Sequence, residues 1–339
     1  MMPATLRQTY SADDGEKRGP LTMSRVAFHP TDRRLLASTA DRRLAVWDLD
    51  APPRKERNVS AVPGRLVCPH DAGWVRGFAV SPDGRWLYTG GSDRRLKRWP
   101  WAGGQPADAA DRDAEAHAGW VEAVAVAPDG RHVVTAGADG LVKVWDADLK
   151  PLRTLTGHTD FVRDAAWAPD GRVFVTGSED GRLLVWDGGT FERLREIAFG
   201  DANEQFGQNP ALSGVHRLAV SRDSRWVAAA GGKKLDVFDL ATGAAVATDK
   251  SDTQAAFAPA ADVLAAGANT TRVVAYDAAR FQPARPDRNG RVGPPAALPG
   301  RELAALKIGD FSLGLAFAAD GRALACGKAN GTVEVWEVS

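Results

Sequence analysis

Net charge is the first thing this sequence lacks: its 339 residues carry 43 Lys and Arg against 43 Asp and Glu. Proteins that hold nucleic acid or anionic membranes draw much of their affinity from a basic excess, so neither partner is expected here. Cysteine is nearly absent, with only Cys68 and Cys326. That is too few for a disulfide framework and has no metal-ligand spacing, which fits a reducing compartment. No apolar run approaches the ~18 residues of a membrane span, and Met1 to Gly19 contains no signal-peptide core. A cytoplasmic protein away from membranes is the expectation. The phosphate-loop, dinucleotide, zinc-protease, serine-hydrolase and CxxC motifs are all missing. The Asp-Gly pairs also lack the spaced oxygen ligands of a calcium loop, so no cofactor and no metal are expected.

Tryptophan, by contrast, is abundant, 11 residues against three Tyr, and it falls periodically. Short β-branched segments ending in an aromatic recur seven times, closing at Trp47, Trp99, Trp145, Trp186, Phe238, Tyr276 and Trp336. A unit of roughly 40 residues plus insertions is the mark of a repeat architecture. Each unit reads as three clear strands and a weaker fourth. In the third, Val121 to Ala127 alternates, Pro128-Asp129-Gly130 turns, His132 to Ala136 forms a second strand, and Asp139-Gly140 turns into Leu141 to Trp145. Pro-Asp-Gly recurs at Pro82 to Gly84 and Pro169 to Gly171, where Gly supplies the positive φ of a tight turn.

One four-stranded sheet of this length cannot bury both faces, but radial packing of successive sheets does. The fold expected is therefore all-β, one domain over residues 1–339, a seven-bladed propeller of four-stranded antiparallel blades. The chain stops just after the third strand of the seventh unit. The missing fourth is assigned to Leu6 to Tyr10, placed beside Val333 to Trp336, which removes two exposed sheet edges.

The residues now resemble the WD-repeat β-propeller family. Trp47-Asp48, Trp145-Asp146 and Trp186-Asp187 carry the signature dipeptide, Phe238-Asp239 and Tyr276-Asp277 vary its aromatic, and Gly157-His158 supplies the other signature pair. Trp99-Pro100 and Trp336-Glu337 depart from it. The resemblance implies a structural hydrogen-bond tetrad in three blades: His70, Thr89, Asp93 and Trp99; His117, Thr135, Asp139 and Trp145; His158, Thr176, Asp180 and Trp186. An indole N–H only donates and a carboxylate only accepts, so Thr and His can link them into a satisfied chain. Three identical His–Asp sets are better read as structural than as a catalytic pair in triplicate. In blades one, six and seven the Thr position holds Ala37, Ala266 and Cys326, and these blades must lean on apolar packing. Blade five has a shortened turn at Gly231-Gly232-Lys233.

The resemblance also implies that partners contact the face bearing the loops into each inner strand. Counting back from each turn places Trp74-Val75-Arg76, Trp120-Val121-Glu122 and Phe161-Val162-Arg163 side by side there, with His216 and Phe311 on the same rim. Trp and Arg dominate interface hot spots, and a rim histidine near neutrality adds a titratable contact. Insertions supply further surface: Gly200 to Gly214 on that face, and Asp50 to Gly64, Trp101 to Asp111 and Ala279 to Arg301 on the opposite one. The last holds five Pro and five Arg against one Asp, a basic strip suited to an acidic or Pro-recognising partner. The function expected is a non-catalytic scaffold for a protein or peptide partner, monomeric on its own and open to joining a larger complex. The alternative is a small-ligand or catalytic propeller using the channel mouth, with Glu122 and His216 as its acid-base pair.

Overall fold

The computed structural model describes residues 4–11, 23–40, 42–56, 59–199, 214–231, 234–249, 252–268, 272–282, 296–297, 305–307 and 312–338. They form seven antiparallel four-stranded blades around a common axis, as the repeat requires. The innermost strands are Met23–Phe28, Val75–Val80, Val121–Val126, Val162–Trp167, Arg217–Val220, Asp252–Phe257 and Ser312–Phe317. Each packs against the innermost strands of both neighbours, so together they wall a central channel. The only helical element among the described residues is one short turn, Ala278–Arg280, and no helix is long and apolar enough to cross a membrane.

The turns form for the reason the sequence suggests. Gly84 and Gly130 adopt φ of +71° and +73°, and the side chain of Asp83 accepts the backbone N–H of Arg85 at 3.1 Å. The second strands that follow are the most buried in each blade. Apolar clusters form between blades rather than within them. Ala123, Val134 and Val144 of blade three, for example, meet Phe174, Leu184 and Trp186 of blade four. Equivalent clusters join blades four and five, five and six, and seven and one. The ring is thus its own core, each sheet supplying the cover its neighbour needs.

The ring closes as expected, over a longer stretch. Ala4–Ser11 pairs antiparallel with Thr332–Val338, from Ala4 opposite Val338 to Ser11 opposite Thr332, with a bulge between Leu6 and Gln8. Blade one is tied to the same strand by a contact its sequence does not announce. With Ala37 in the Thr position, the Trp47 indole donates instead to the Ser11 backbone carbonyl at 2.9 Å, and Tyr10 packs edge-on against its ring. Blade seven finds no such substitute: beside Cys326, the buried Nε1 of Trp336 has no hydrogen-bond partner.

Two insertions differ from the adhesion loops expected. Within Asp50 to Gly64, Arg54–Glu56 and Val59–Pro63 form a hairpin whose second strand runs parallel to the closing strand, Tyr10 opposite Val62. Ala61 and Val62 are buried, so this strand covers the edge of the closing strand. In Trp101 to Asp111, Trp101 prolongs the third strand of blade two and stacks on His29 of blade one at 4.3 Å, donating its N–H to Asp32 at 3.1 Å. It clasps two blades together. Cys68 lies just past the outer strand Arg65–Val67, buried, where desolvation pushes its thiol well up, and Cys326 is buried on a second strand. The Gly200 to Gly214 loop, apart from Gly214, and most of Ala279 to Arg301 lie outside the described residues, as does Phe311.

Candidate functional site

The three predicted tetrads are each brought together. His70 Nδ1 meets Asp93 at 2.8 Å, His70 Nε2 meets Thr89 at 2.8 Å, and the Trp99 indole donates to Thr89 at 2.9 Å. The corresponding distances are 2.9, 2.8 and 2.9 Å around His117, Thr135, Asp139 and Trp145. Around His158, Thr176, Asp180 and Trp186 they are 3.0, 2.9 and 2.9 Å. Proton direction follows from chemistry: the carboxylate only accepts, so His Nδ1–H donates to it, and Nε2 accepts from the Thr hydroxyl, which itself accepts from the indole. Burial alone raises the Asp139 carboxyl, but the His117 hydrogen bond, with the backbone N–H groups of Ala118 and Leu141, outweighs it and holds it down at about 2. Asp93 and Asp180 are lowered in the same way. Every polar atom is spoken for, which leaves these groups nothing to offer a substrate.

The same loops present the aromatics. Trp74 is 51% exposed and Trp120 43% exposed, and Phe161 is partly buried. The Arg76 guanidinium lies 4.0 Å from the Trp120 ring centroid and 5.6 Å from that of Trp74. Ser92 Oγ accepts from both Arg76 Nε at 3.1 Å and the Trp74 backbone N–H at 3.2 Å, fixing the first triplet to its own blade. Arg163 stacks over Phe161 at 5.2 Å. The result is a ladder of planar groups running Trp74, Arg76, Trp120 across two blades and ending on Arg163 and Phe161 in a third.

Glu122 differs from the rim contact expected of it. It is only 6% exposed and receives Arg76 at 3.2 Å and Arg163 at 3.2 Å. Arg163 is in turn paired with Glu179. A carboxylate flanked by two guanidinium groups is held inward by them, so its work is to lock three blades in register. His216 is also partly buried, and desolvation, with Arg163 and Arg217 nearby, lowers it below the ordinary imidazole value despite the opposing pull of Glu179. It is therefore neutral at pH 7, unlike the titrating rim contact expected. Among the described residues no hydrogen bond or ion pair joins Glu122 to His216, and no group of three or more His, Cys, Asp and Glu gathers as a metal site.

Residues 16–48, 64–100, 112–146 and 149–187 match the WD domain, G-beta repeat. The matched segments fall on blades one to four. No curated protein matches the chain. Four WD repeats in step with four blades of a closed seven-bladed ring make this chain a WD-repeat β-propeller.

Proposed function

We propose that the face built by blades two, three and four binds a protein or peptide segment through Trp74 and Trp120, with Phe161 at its edge. WD propellers commonly mediate protein–protein interaction, and they are generally non-catalytic. The observation that carries the reading is the pair of exposed indoles held apart by one guanidinium. Clustered exposed aromatics mark interaction surfaces, and Trp and Arg are the residues on which binding energy concentrates. Ordering cost is low because the ladder is already fixed by Ser92, Glu122 and Glu179. Since those carboxylates neutralise Arg76 and Arg163, recognition rests on apolar and stacking contact rather than on charge. The role is a binding platform without chemistry of its own.

Affinity capture from the native extract tests this, comparing wild type with Trp74→Ala, Trp120→Ala and Phe161→Ala combined, after melting temperatures are matched. Proteins retained by wild type and lost from the triple variant support the reading. Retention by both moves the contact away from this face.

A further inference from the structure

The fifth residue before each inner turn forms one layer of the channel wall. Gly77, Ala123 and Gly314 are small, whereas Arg25, Asp164, Arg217 and Gln254 are long and polar. The two arginines span the channel in opposite directions. Arg25 of blade one reaches the backbone carbonyl of Arg163 at 3.2 Å and the Asp164 carboxylate at 2.9 Å. Arg217 of blade five reaches the carbonyl of Ser24 in blade one at 3.0 Å, and turns its other amino group onto the His216 carbonyl at 3.0 Å.

Asp164 is committed elsewhere as well. Its carboxylate accepts the backbone N–H of Ala165 at 3.0 Å and, across the blade junction, that of Leu218 at 2.8 Å. Two guanidinium groups therefore stand against one carboxylate, and of the two only Arg25 contacts it. Among the described residues no carboxylate lies within 4.0 Å of Arg217. The Arg25 Nε–H is buried without an acceptor, and the Gln254 amide, 9% exposed, makes no hydrogen bond among the described residues. Burial, together with the neighbouring Arg25 charge, pulls Arg217 down to about 10, the behaviour of a cation short of a counter-charge.

The side chains that carry these donors line one space. A cavity of about 120 Å³ is lined by Arg25, Arg217, Asp164 and Gln254, with Phe78 and Leu315 among its apolar walls. At ~10–15 Å³ per enclosed water it has room for roughly eight waters, ample for a short-chain acid. The layer carries one excess positive charge, two Arg against one Asp, so a monoanion neutralises it and a phosphate dianion overshoots. We propose that this channel cavity binds a small monocarboxylate, its oxygens accepting from Arg217 and Arg25 and its short chain lying against Phe78 and Leu315. The site is separate from the aromatic face and stands whether or not that face binds a protein.

The test uses the full chain and sodium butyrate, with sodium phosphate and sodium chloride at matched ionic strength, followed by isothermal titration and by the melting temperature. Saturable butyrate binding with a rising melting temperature is expected, unmatched by phosphate or chloride. Arg217→Met is expected to weaken it about tenfold or more, the loss of a charged hydrogen bond. Should that variant fail to fold, isotope-edited transfer from labelled butyrate to the Phe78 ring protons of wild type serves instead. N-acetyl-aspartate amide, offered in parallel, carries its carboxylate on a polar chain that the apolar walls at Phe78 and Leu315 disfavour. Absence of saturable butyrate binding, equal effects of all the salts, full binding by folded Arg217→Met, no transfer to Phe78, or equal affinity for the aspartate amide would each overturn the proposal.

Discussion

Replacing Asp139 with Ala removes more than one bond. The carboxylate accepts His117 Nδ1–H at 2.9 Å, the Ala118 backbone N–H at 2.9 Å and the Leu141 backbone N–H at 3.2 Å. The backbone groups sit at an exposed turn and regain water. His117 is 2% exposed, so its N–H does not. A hydrogen bond to a charged group contributes ~1.5–3 kcal/mol, and a stranded buried donor costs ~1–3 kcal/mol. These describe the same loss from two sides, so Asp139→Ala should cost ~2–3 kcal/mol in urea unfolding at pH 7, with little change in slope. The lowered carboxyl gives a second handle. Because the folded value of about 2 lies below the ordinary 3.8, the stabilisation is complete above pH ~4 and is lost as pH falls toward 2. That shift is worth ~1–2 kcal/mol once solvent at the turn is allowed for. The gap between wild type and variant should therefore narrow below pH ~4. An unchanged midpoint at pH 7, or a gap that stays constant with pH, would refute the tetrad account.

Deleting residues 1–12 should expose the edge of Thr332–Val338 and drive self-association, read as a rise in mass by light scattering; a monomer as heat-stable as the intact chain contradicts the closure. Trp47→Phe keeps the ring and removes only the donor to Ser11, so thermal unfolding should show a loss of ~0.5–1.5 kcal/mol. If Phe matches Trp there, the bond to the closing strand contributes nothing. Cys326→Thr places a hydroxyl where Thr89, Thr135 and Thr176 stand in the intact blades and should stabilise by ~1 kcal/mol by receiving the Trp336 indole. A gain equally large in Cys326→Val would assign the effect to packing instead.

How legible each feature was depends on whether it is written in neighbouring residues or across the ring. The blades were legible because a strand's alternation and a Pro-Asp-Gly turn are local, and the tetrads because Thr89, Asp93 and Trp99 recur at fixed offsets. The closing strand could be placed because Val333 to Trp336 needed a partner and Leu6 to Tyr10 had no other use. Contacts set by geometry between blades were not legible. Glu122 reads as a surface charge until Arg76 and Arg163 are seen converging on it from either side. Arg25 reads as an ordinary strand residue, yet its partners are 138 and 139 positions away. Trp101 stands in a segment that reads as a loop, and only the approach of blade one gives its ring a surface to stack on. A signal was present in the hairpin at Arg54 to Pro63, where Val59-Ser60-Ala61-Val62 has strand character. What that strand pairs with was not.

The central claim is that Trp74 and Trp120 touch a partner, and site-specific photocrosslinking tests it most directly. A photoreactive phenylalanine analogue at position 74 or 120, compared with one at the outer-strand Leu194, which is 53% exposed, separates contact from mere exposure. The account predicts one shared crosslinked protein from positions 74 and 120 and none from 194. Adducts from 194 alone, or the same adducts from all three positions, would contradict it.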